Sequence, residues 1–339
     1  MILETKGLPL IEIERLIGSG VSPGCSIAIT TPNSGLESVS FGYLDDPNGE
    51  EVNQNTVYDL ASITKLFTTA LVLRLHESGK LSINDPCGKY LDNFSASGVR
   101  LIDLLTHKVD FDIRLSDYRN MNSDRESLVG RLMDIEPPSK ASENVHYANL
   151  GFIYLGRIIE KLEERDLNRC MNALFEELGL RESYTGADIP KLGIITPATE
   201  IVDGRVIRNI THDETSRLLG GIAGNAGVFS TAKDLARFGK AWLQTKVITT
   251  NELRQTVFRD HDTSGLKPQA IGWWMRIPAA EGEKNESGLY THTGFTGSLL
   301  AINTQKDKIC AFTCNRTYYG RDNNRHKEVW KLLIEWIQK

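Results

Sequence analysis

The chain has 339 residues, 40% of them hydrophobic and 24% charged, with a formal net charge of -5. That is an ordinary soluble globular composition with ample core, and the length implies one large domain with an inserted lobe, or two domains. The acidic balance gives no reason to expect a nucleic-acid groove or an anionic membrane as partner.

The first segment, MILETKGLPLIEIERLIGSG, lacks a basic stretch followed by an apolar one, so it does not read as a secretory signal. No apolar run approaches transmembrane length, and a cytoplasmic location is expected. The five cysteines, Cys25, Cys87, Cys170, Cys310 and Cys314, are scattered and odd in number. Reduced thiols are expected rather than a disulfide framework. Cys310 and Cys314 share one face of an expected strand; small buried residues are the better reading, a metal pair a poor second.

Residues 8–20 read as a short helix broken by Pro23 and Gly24. Residues 25–45 read as two strands around a turn at Pro32-Asn33-Ser34-Gly35. A polar loop then delivers the chain to YDLASITKLFTTALVLRLHESGKL, residues 58–81. Its apolar residues recur at helical spacing and Gly79 supplies a C-terminal stop. Near its start lie Ser62 and Lys65, one helical turn apart, at the positive end of the helix dipole. An amine beside a hydroxyl there is one way to build an activated serine.

S-x-x-K is too short to stand alone, and it recurs at Ser230–Lys233 and Ser264–Lys267. Lys233 reads as first-turn surface of a helix over 232–243, capped by Thr231 with Asp234 in a capping-box pattern. Ser264 lies in a loop-like segment. The block from Ile83 to about Arg205 predicts helices, at 101–106, 127–133, 151–162 and 170–178, and few strands. The glycine-rich run at 218–229 has no dinucleotide fingerprint; it predicts close backbone approach to a ligand or to another segment. Strands follow at 271–277, 288–305 and 307–315, then a helix over 324–338. Strands at both ends imply one antiparallel sheet made from both termini and flanked by terminal helices, with the helical lobe inserted. The expected division is a discontinuous sheet domain, 1–61 with 218–339, and a mainly helical domain, 62–217.

Three short signals occur in chain order: Ser62-Ile63-Thr64-Lys65, Tyr147-Ala148-Asn149 and His292-Thr293-Gly294. With the flanks YANLGFIYLGRIIEKL, GNAGVFSTAKDLARFGKAWL and HTGFTGSLLAIN, the chain resembles the serine β-lactamase and penicillin-binding protein superfamily, in its class C-like branch. The likeness runs through residues 8–338. It implies a β-lactamase/transpeptidase-like α/β (α+β) fold with the site where sheet and helical lobe meet. A second Y-x-N, at Tyr118-Arg119-Asn120, lacks the following helix pattern.

The resemblance implies Ser62 as nucleophile, Lys65 and Tyr147 as proton carriers, and Asn149 as partner of the lysine or the substrate amide. The N–H groups of Ser62 and Phe295 would form the oxyanion hole. His292, Thr293 and Gly294 would bind substrate, with Gly294 and Gly297 keeping the strand open to it. A phenol ionises near pH 10 and needs neighbouring cations to work near pH 7. His292 stands where β-lactamases usually have lysine. An imidazole, partly charged near neutrality, would grip a substrate carboxylate less firmly. That favours an esterase or amidase, or a D-peptidase, over an efficient β-lactamase.

In Lys108-Val109-Asp110, after His107, the family's turn glycine and small residues are gone, which puts that loop's shape in question. The substrate pocket is expected to be shaped by loops at 108–121, 196–216 and 260–269. No metal-ligand spacing or P-loop is present, His212-Asp213 and His261-Asp262 being isolated, and no cofactor is expected. The expected partner is a small-molecule or peptide substrate, with no obligate protein partner. Three other readings stay open: a D-stereospecific peptidase or DD-carboxypeptidase, a weak β-lactamase, and a catalytically silent relative that only binds a peptide.

Overall fold

The computed structural model describes residues 7–31, 34–45, 49–119, 124–275 and 288–339. Helix α1 (Leu10–Leu16) leads through a wide turn, Ile17–Val21, into the hairpin β1 (Gly24–Thr31) and β2 (Ser34–Gly42). Residues 32 and 33 of the expected turn lie outside the described residues. Strand β3 (Tyr58–Asp59) and a single 3-10 turn, Ala61–Ile63, precede α2 (Thr64–Glu77). The insertion then carries α3 (Leu101–Leu105), α4 (Leu115–Arg119), α5 (Arg125–Met133), α6 (Asn149–Glu163) and α7 (Leu167–Leu178). After these come β4 (Ser183–Thr185), α8 (Ile189–Leu192), the hairpin β5 (Glu200–Val202) and β6 (Arg205–Ile207), and α9 (Glu214–Leu218). Next are β7 (Val228–Ser230), α10 (Ala232–Leu243) and α11 (Asn251–Val257). The chain closes with β8 (Leu289–Thr293), β9 (Leu299–Asn303), β10 (Lys308–Cys314) and α12 (His326–Gln338).

The main sheet has the order β2-β1-β10-β9-β8, antiparallel throughout. Both chain ends build it, as expected: β1 lies beside β10 with Cys25 opposite Cys314. Alternation sorts the strand residues to two cores. Cys25, Ile27, Ile29, Cys310, Phe312 and Cys314 pack with α1 and α12, through Ile13, Leu16, Leu333 and Ile337. Ala28, Leu300, Ile302, Ile309 and Ala311 pack in a larger core with α10 and α2. There Phe67 stacks on Phe238, ring centres 3.8 Å apart. Truncating a buried phenylalanine of this kind to alanine costs about 3–5 kcal/mol. All five cysteines are free and buried, and burial pushes the Cys310 and Cys314 thiols up to about 12.

Four details depart from the sequence reading. The helix that follows Ser62 begins at Thr64, not at residue 58, because Ala61 adopts a left-handed conformation (φ 45°) that a helix cannot contain. Among the described residues of the expected strand at 271–277, only isolated bridges form, Gln269 with Trp274 and Trp274 with Thr291; residues 276 and 277 lie outside the described residues. The inserted helical segment also contains β4, β5 and β6, too short for periodicity to reveal, and β4 pairs with β7 in a second small sheet. Thr231 does cap α10, its hydroxyl accepting the Asp234 N–H at 3.2 Å, but the Asp234 carboxylate turns away to accept the Glu182 N–H at 2.6 Å. Among the described residues, no helix is long and apolar enough to cross a membrane.

Candidate active site

The turn before α2 presents Ser62. The Asp59 carboxylate accepts the Ala61 N–H at 2.7 Å, and the Leu60 carbonyl accepts the Ile63 N–H at 3.1 Å. Those bonds hold the 3-10 turn and place Ser62 just ahead of the helix, with Lys65 in its first turn.

Lys65 is fully buried. Its Nζ donates to Ser62 Oγ at 3.1 Å, to Asn149 Oδ1 at 2.8 Å and to the Asn225 carbonyl at 3.3 Å. Three acceptors match the three N–H donors of an ammonium, so none of the buried donors is left unpaired. Asn149 is the first residue of α6. Asn225 is delivered by the glycine-rich run: a Cβ on Gly224 would stand 1.9 Å from the Phe152 carbonyl oxygen, so only glycine lets this backbone approach α6. The Gly224 carbonyl in turn accepts the Thr68 hydroxyl of α2 at 2.7 Å. The close approach expected of this run is therefore to two helices and to the lysine.

Tyr147 reaches the same place from the loop before α6 and is 46% exposed. Its ring lies tilted by 37° against that of His107, centres 4.6 Å apart, and 5.5 Å from the Trp274 ring. Its hydroxyl makes no hydrogen bond to the described residues; Lys65 meets the ring instead, with Nζ 4.8 Å from its centroid. His107 itself takes a positive φ, of 55°. It is buried, and Nδ1 accepts the Ala148 N–H at 3.4 Å. Burial, then the Lys65 charge, holds its imidazole well below the ordinary range.

His292 lies on β8, opposite Leu300 of β9, and is 1% exposed. Burial and then the Lys65 charge push its imidazole down to about 3. It is neutral at physiological pH, which corrects the expectation of a partly charged group that grips a carboxylate. Its Nδ1 lies 3.1 Å from the Thr293 carbonyl, and Nε2 has no hydrogen-bond partner among the described residues. A Cβ on Gly294 would stand 2.4 Å from the Leu60 carbonyl oxygen, and one on Gly297 would stand 2.6 Å from Cys314 Sγ. Both glycines have close protein neighbours, and Gly294 also borders the cavity beside Ser62.

Ser62, Tyr147, Thr293, Gly294 and Phe295 line one cavity of about 430 Å³. Among the described residues neither the Ser62 N–H nor the Phe295 N–H meets an acceptor. The remaining lining comes from Trp274 and from Arg316, Asn324, His326, Lys327 and Trp330 near α12, with no carboxylate among the described residues. A second, larger groove of about 1040 Å³ adjoins Tyr147 and Asn149 and is walled by residues 109–118. Of the loops expected to shape the pocket, only 108–121 lines these spaces, and residues 120–121 of it lie outside the described residues. The 196–216 loop instead stands behind the site: the His212 ring stacks on Phe295 at 5.6 Å. His212 Nε2 lies 3.3 Å from Glu200 Oε2, near enough for an ion pair but not aligned as a hydrogen bond. Among the described residues, no cluster of side chains could hold a metal ion.

A hydroxyl held by a lysine, beside two free N–H groups in an open cavity, is the arrangement of a serine hydrolase that forms an acyl-enzyme. A family model described as Beta-lactamase matches residues 12–334, and the chain belongs to that family. It is a serine hydrolase of the β-lactamase and penicillin-binding protein type. A protein of Salmonella typhi with the provisional name D-alanyl-D-alanine carboxypeptidase is 26% identical over 359 aligned positions, covering 90% of this chain and 81% of the relative. A class C β-lactamase of Rhodobacter sphaeroides superposes with a TM-score of 0.73 at 19% identity, over 97% of this chain and 99% of the other. A D-alanine carboxypeptidase of Burkholderia cenocepacia superposes at 0.70 with 20% identity, over 96% and 97% of the two chains. These superpositions show the fold.

The sequence reading missed Asp59, Asn225, Trp274, Arg316 and His326. Asn225 acts through its backbone carbonyl, which leaves no side-chain signal. For Asn225 the one available hint was an asparagine set between glycines in an apolar run.

Proposed function

We propose that Ser62 attacks an ester or amide carbonyl and that Tyr147 takes its proton. The ammonium of Lys65 polarises the serine oxygen and favours negative charge on the phenol beside it. The N–H groups of Ser62 and Phe295 receive the carbonyl oxygen as it becomes negative. Forming the acyl–Ser62 bond breaks the bond to the leaving group, which departs with a proton returned by Tyr147. Water repeats the sequence in reverse and frees the serine. The observation that carries this reading is the Lys65 hydrogen-bond set, which ties Ser62, on the cavity wall, to Asn149 and Asn225.

A neutral His292 removes a cation from the substrate strand, which supports esters and amides over efficient β-lactam turnover. The alternative is a DD-carboxypeptidase, and the names of the Salmonella and Burkholderia relatives support it. Esters are the first choice, acting as small-molecule or peptide substrates, and a cytoplasmic setting without an obligate protein partner goes with that reading. Labelling with a fluorophosphonate and a penicillin-like probe, followed by peptide mapping, tests the nucleophile. An adduct on any residue but Ser62, or equal labelling of Ser62→Ala, overturns it. Comparing p-nitrophenyl esters with D-Ala-D-Ala peptides separates the two substrate classes, and no turnover of either would favour a silent binder.

A further inference from the structure

Asp59 is 1% exposed and does not line the cavity. It nevertheless joins three segments that meet around it. One carboxylate oxygen accepts the Ala61 N–H at 2.7 Å, on the turn that carries Ser62. The other accepts the His212 N–H at 2.7 Å, on the loop whose imidazole stacks against the Phe295 ring. Its backbone carbonyl accepts the Thr296 hydroxyl at 2.8 Å, on the turn that carries Phe295.

The far side of that turn is held as well. Arg316 N–H donates to the Thr296 carbonyl at 2.9 Å, Arg316 Nε donates to the Phe295 carbonyl at 2.9 Å, and its guanidinium lies 4.7 Å from the Phe295 ring centre. The Leu60 carbonyl presses directly against Gly294. The two N–H donors proposed to bind the oxyanion therefore sit on different segments, 62 and 295, which the hydrogen bond from the Thr296 hydroxyl to the Asp59 carbonyl ties together. Oxyanion donors act only when both stand about 3 Å from the place the negative oxygen will occupy. A fixed spacing between them is thus a catalytic requirement, not only a stabilising contact.

We propose that Asp59 and Thr296 are positioning residues that set the spacing of the Ser62 and Phe295 N–H groups. The inference rests on the reading of those groups as the oxyanion hole. Neither residue touches the substrate. The Thr296 hydroxyl fixes the second donor's turn to the first donor's turn, and the Asp59 carboxylate fixes the first turn's left-handed bend.

The test compares wild type with Thr296→Val, Thr296→Ser and Asp59→Asn. The readouts are kcat and KM for a p-nitrophenyl ester, affinity for an arylboronic acid that forms a tetrahedral adduct with Ser62, and Tm. Valine matches threonine in shape and lacks only the hydroxyl. Thr296→Val is expected to lower kcat by about tenfold to a hundredfold with KM within about threefold. Boronate affinity should fall by the same factor, and Thr296→Ser should restore both. Asp59→Asn sets an amide N–H against an N–H donor and should show the same signature more strongly; if it does not fold, the Thr296 pair decides alone. Unchanged kcat and boronate affinity in Thr296→Val, or equal losses in Thr296→Ser, would overturn the proposal. A wild-type protein that neither turns over the ester nor binds the boronate would instead overturn the reading of the site.

Discussion

Lys65 addresses Tyr147 through the ring, not through the hydroxyl: Nζ stands 4.8 Å from the ring centroid while its three N–H groups are committed to Ser62, Asn149 and Asn225. A fully donating ammonium has no lone pair to take the serine proton. In the proposed mechanism the Tyr147 oxygen, as phenolate, is then the acceptor, provided its ring swings from beside His107 towards Ser62 Oγ. Hydrogen bonds of this kind commonly tighten only when substrate is bound. Tyr147→Phe keeps the ring over Lys65 and removes only the oxygen. It is expected to lower kcat by about 10²–10⁴, the usual size of a general-base contribution, with Tm nearly unchanged. Stopped-flow acylation by a p-nitrophenyl ester measures this. A rate within a few-fold of wild type would mean that the phenol is only a wall of the cavity.

Asn149 gives Lys65 its shortest hydrogen bond, at 2.8 Å. In Asn149→Ala one N–H of a fully buried cation loses its acceptor. Leaving a buried polar group unpaired costs about 1–3 kcal/mol, and more when it is charged. Both stability and acylation should therefore fall. Asn149→Asp keeps an acceptor oxygen and should recover most of the stability. Urea unfolding of the two variants checks the order.

The parts of this site that were legible in the sequence are those whose chemistry is carried by side chains at short, fixed spacing. Ser62 and Lys65 are three residues apart, and Tyr147 and Asn149 two; Phe295 directly follows the His292-Thr293-Gly294 signal. Asp59, Asn225 and Arg316 were not legible, because each acts through a backbone group or across a long separation. Lys65 and Asn225 lie 160 positions apart and Asp59 and Thr296 237 apart. The sheet was foreseeable for a related reason, since β1, β9 and β10 are apolar runs buried on both faces. Trp274 misled because an apolar, aromatic run reads as strand, whereas its pairing is limited to isolated bridges. His292 misled because sequence shows a histidine but not its burial, and burial decides its charge.

That burial has a pH consequence. His292 and His326 are both pushed down to about 3, mainly by loss of water, against about 6.5 for a free imidazole. Between those values the unfolded chain binds protons that the folded chain does not. Their contribution to stability is intact above about pH 6.5 and is lost as pH falls towards 3, each histidine supplying a slope of up to about 1.4 kcal/mol per pH unit. The urea midpoint should fall through this window, and His292→Gln should flatten the fall. An unchanged slope in that variant would show that His292 protonates freely in the folded protein.

The thiols make a separate prediction. All five cysteines are buried and free, and burial raises the Cys310 and Cys314 thiols to about 12, which leaves almost no thiolate near neutrality. Maleimide should leave the native protein unmodified and fully active, while modification in urea should reach all five. Fast native labelling at any of them would contradict the packing of the two cores.

Gly294 joins the fold directly to the chemistry. Its missing side chain is what allows the Leu60 carbonyl to lie against the turn that carries Phe295, at 2.4 Å from where a Cβ would be. That contact is backbone against backbone, so no rotamer change can relieve it. In Gly294→Ala the turn must move away from Ser62, and a displacement of about 1 Å in a catalytic group costs on the order of a hundredfold in rate. The expected result is a kcat lowered by about that factor for any ester tested. Labelling of Ser62 by a fluorophosphonate should slow in parallel, because its phosphoryl oxygen uses the same two donors. Gly79, unlike Gly294, has a positive φ, of 74°, and nothing lies within 4 Å of its Cβ position. Gly79→Ala should therefore lower stability and leave kcat unchanged, which separates backbone strain in general from displacement of the oxyanion turn.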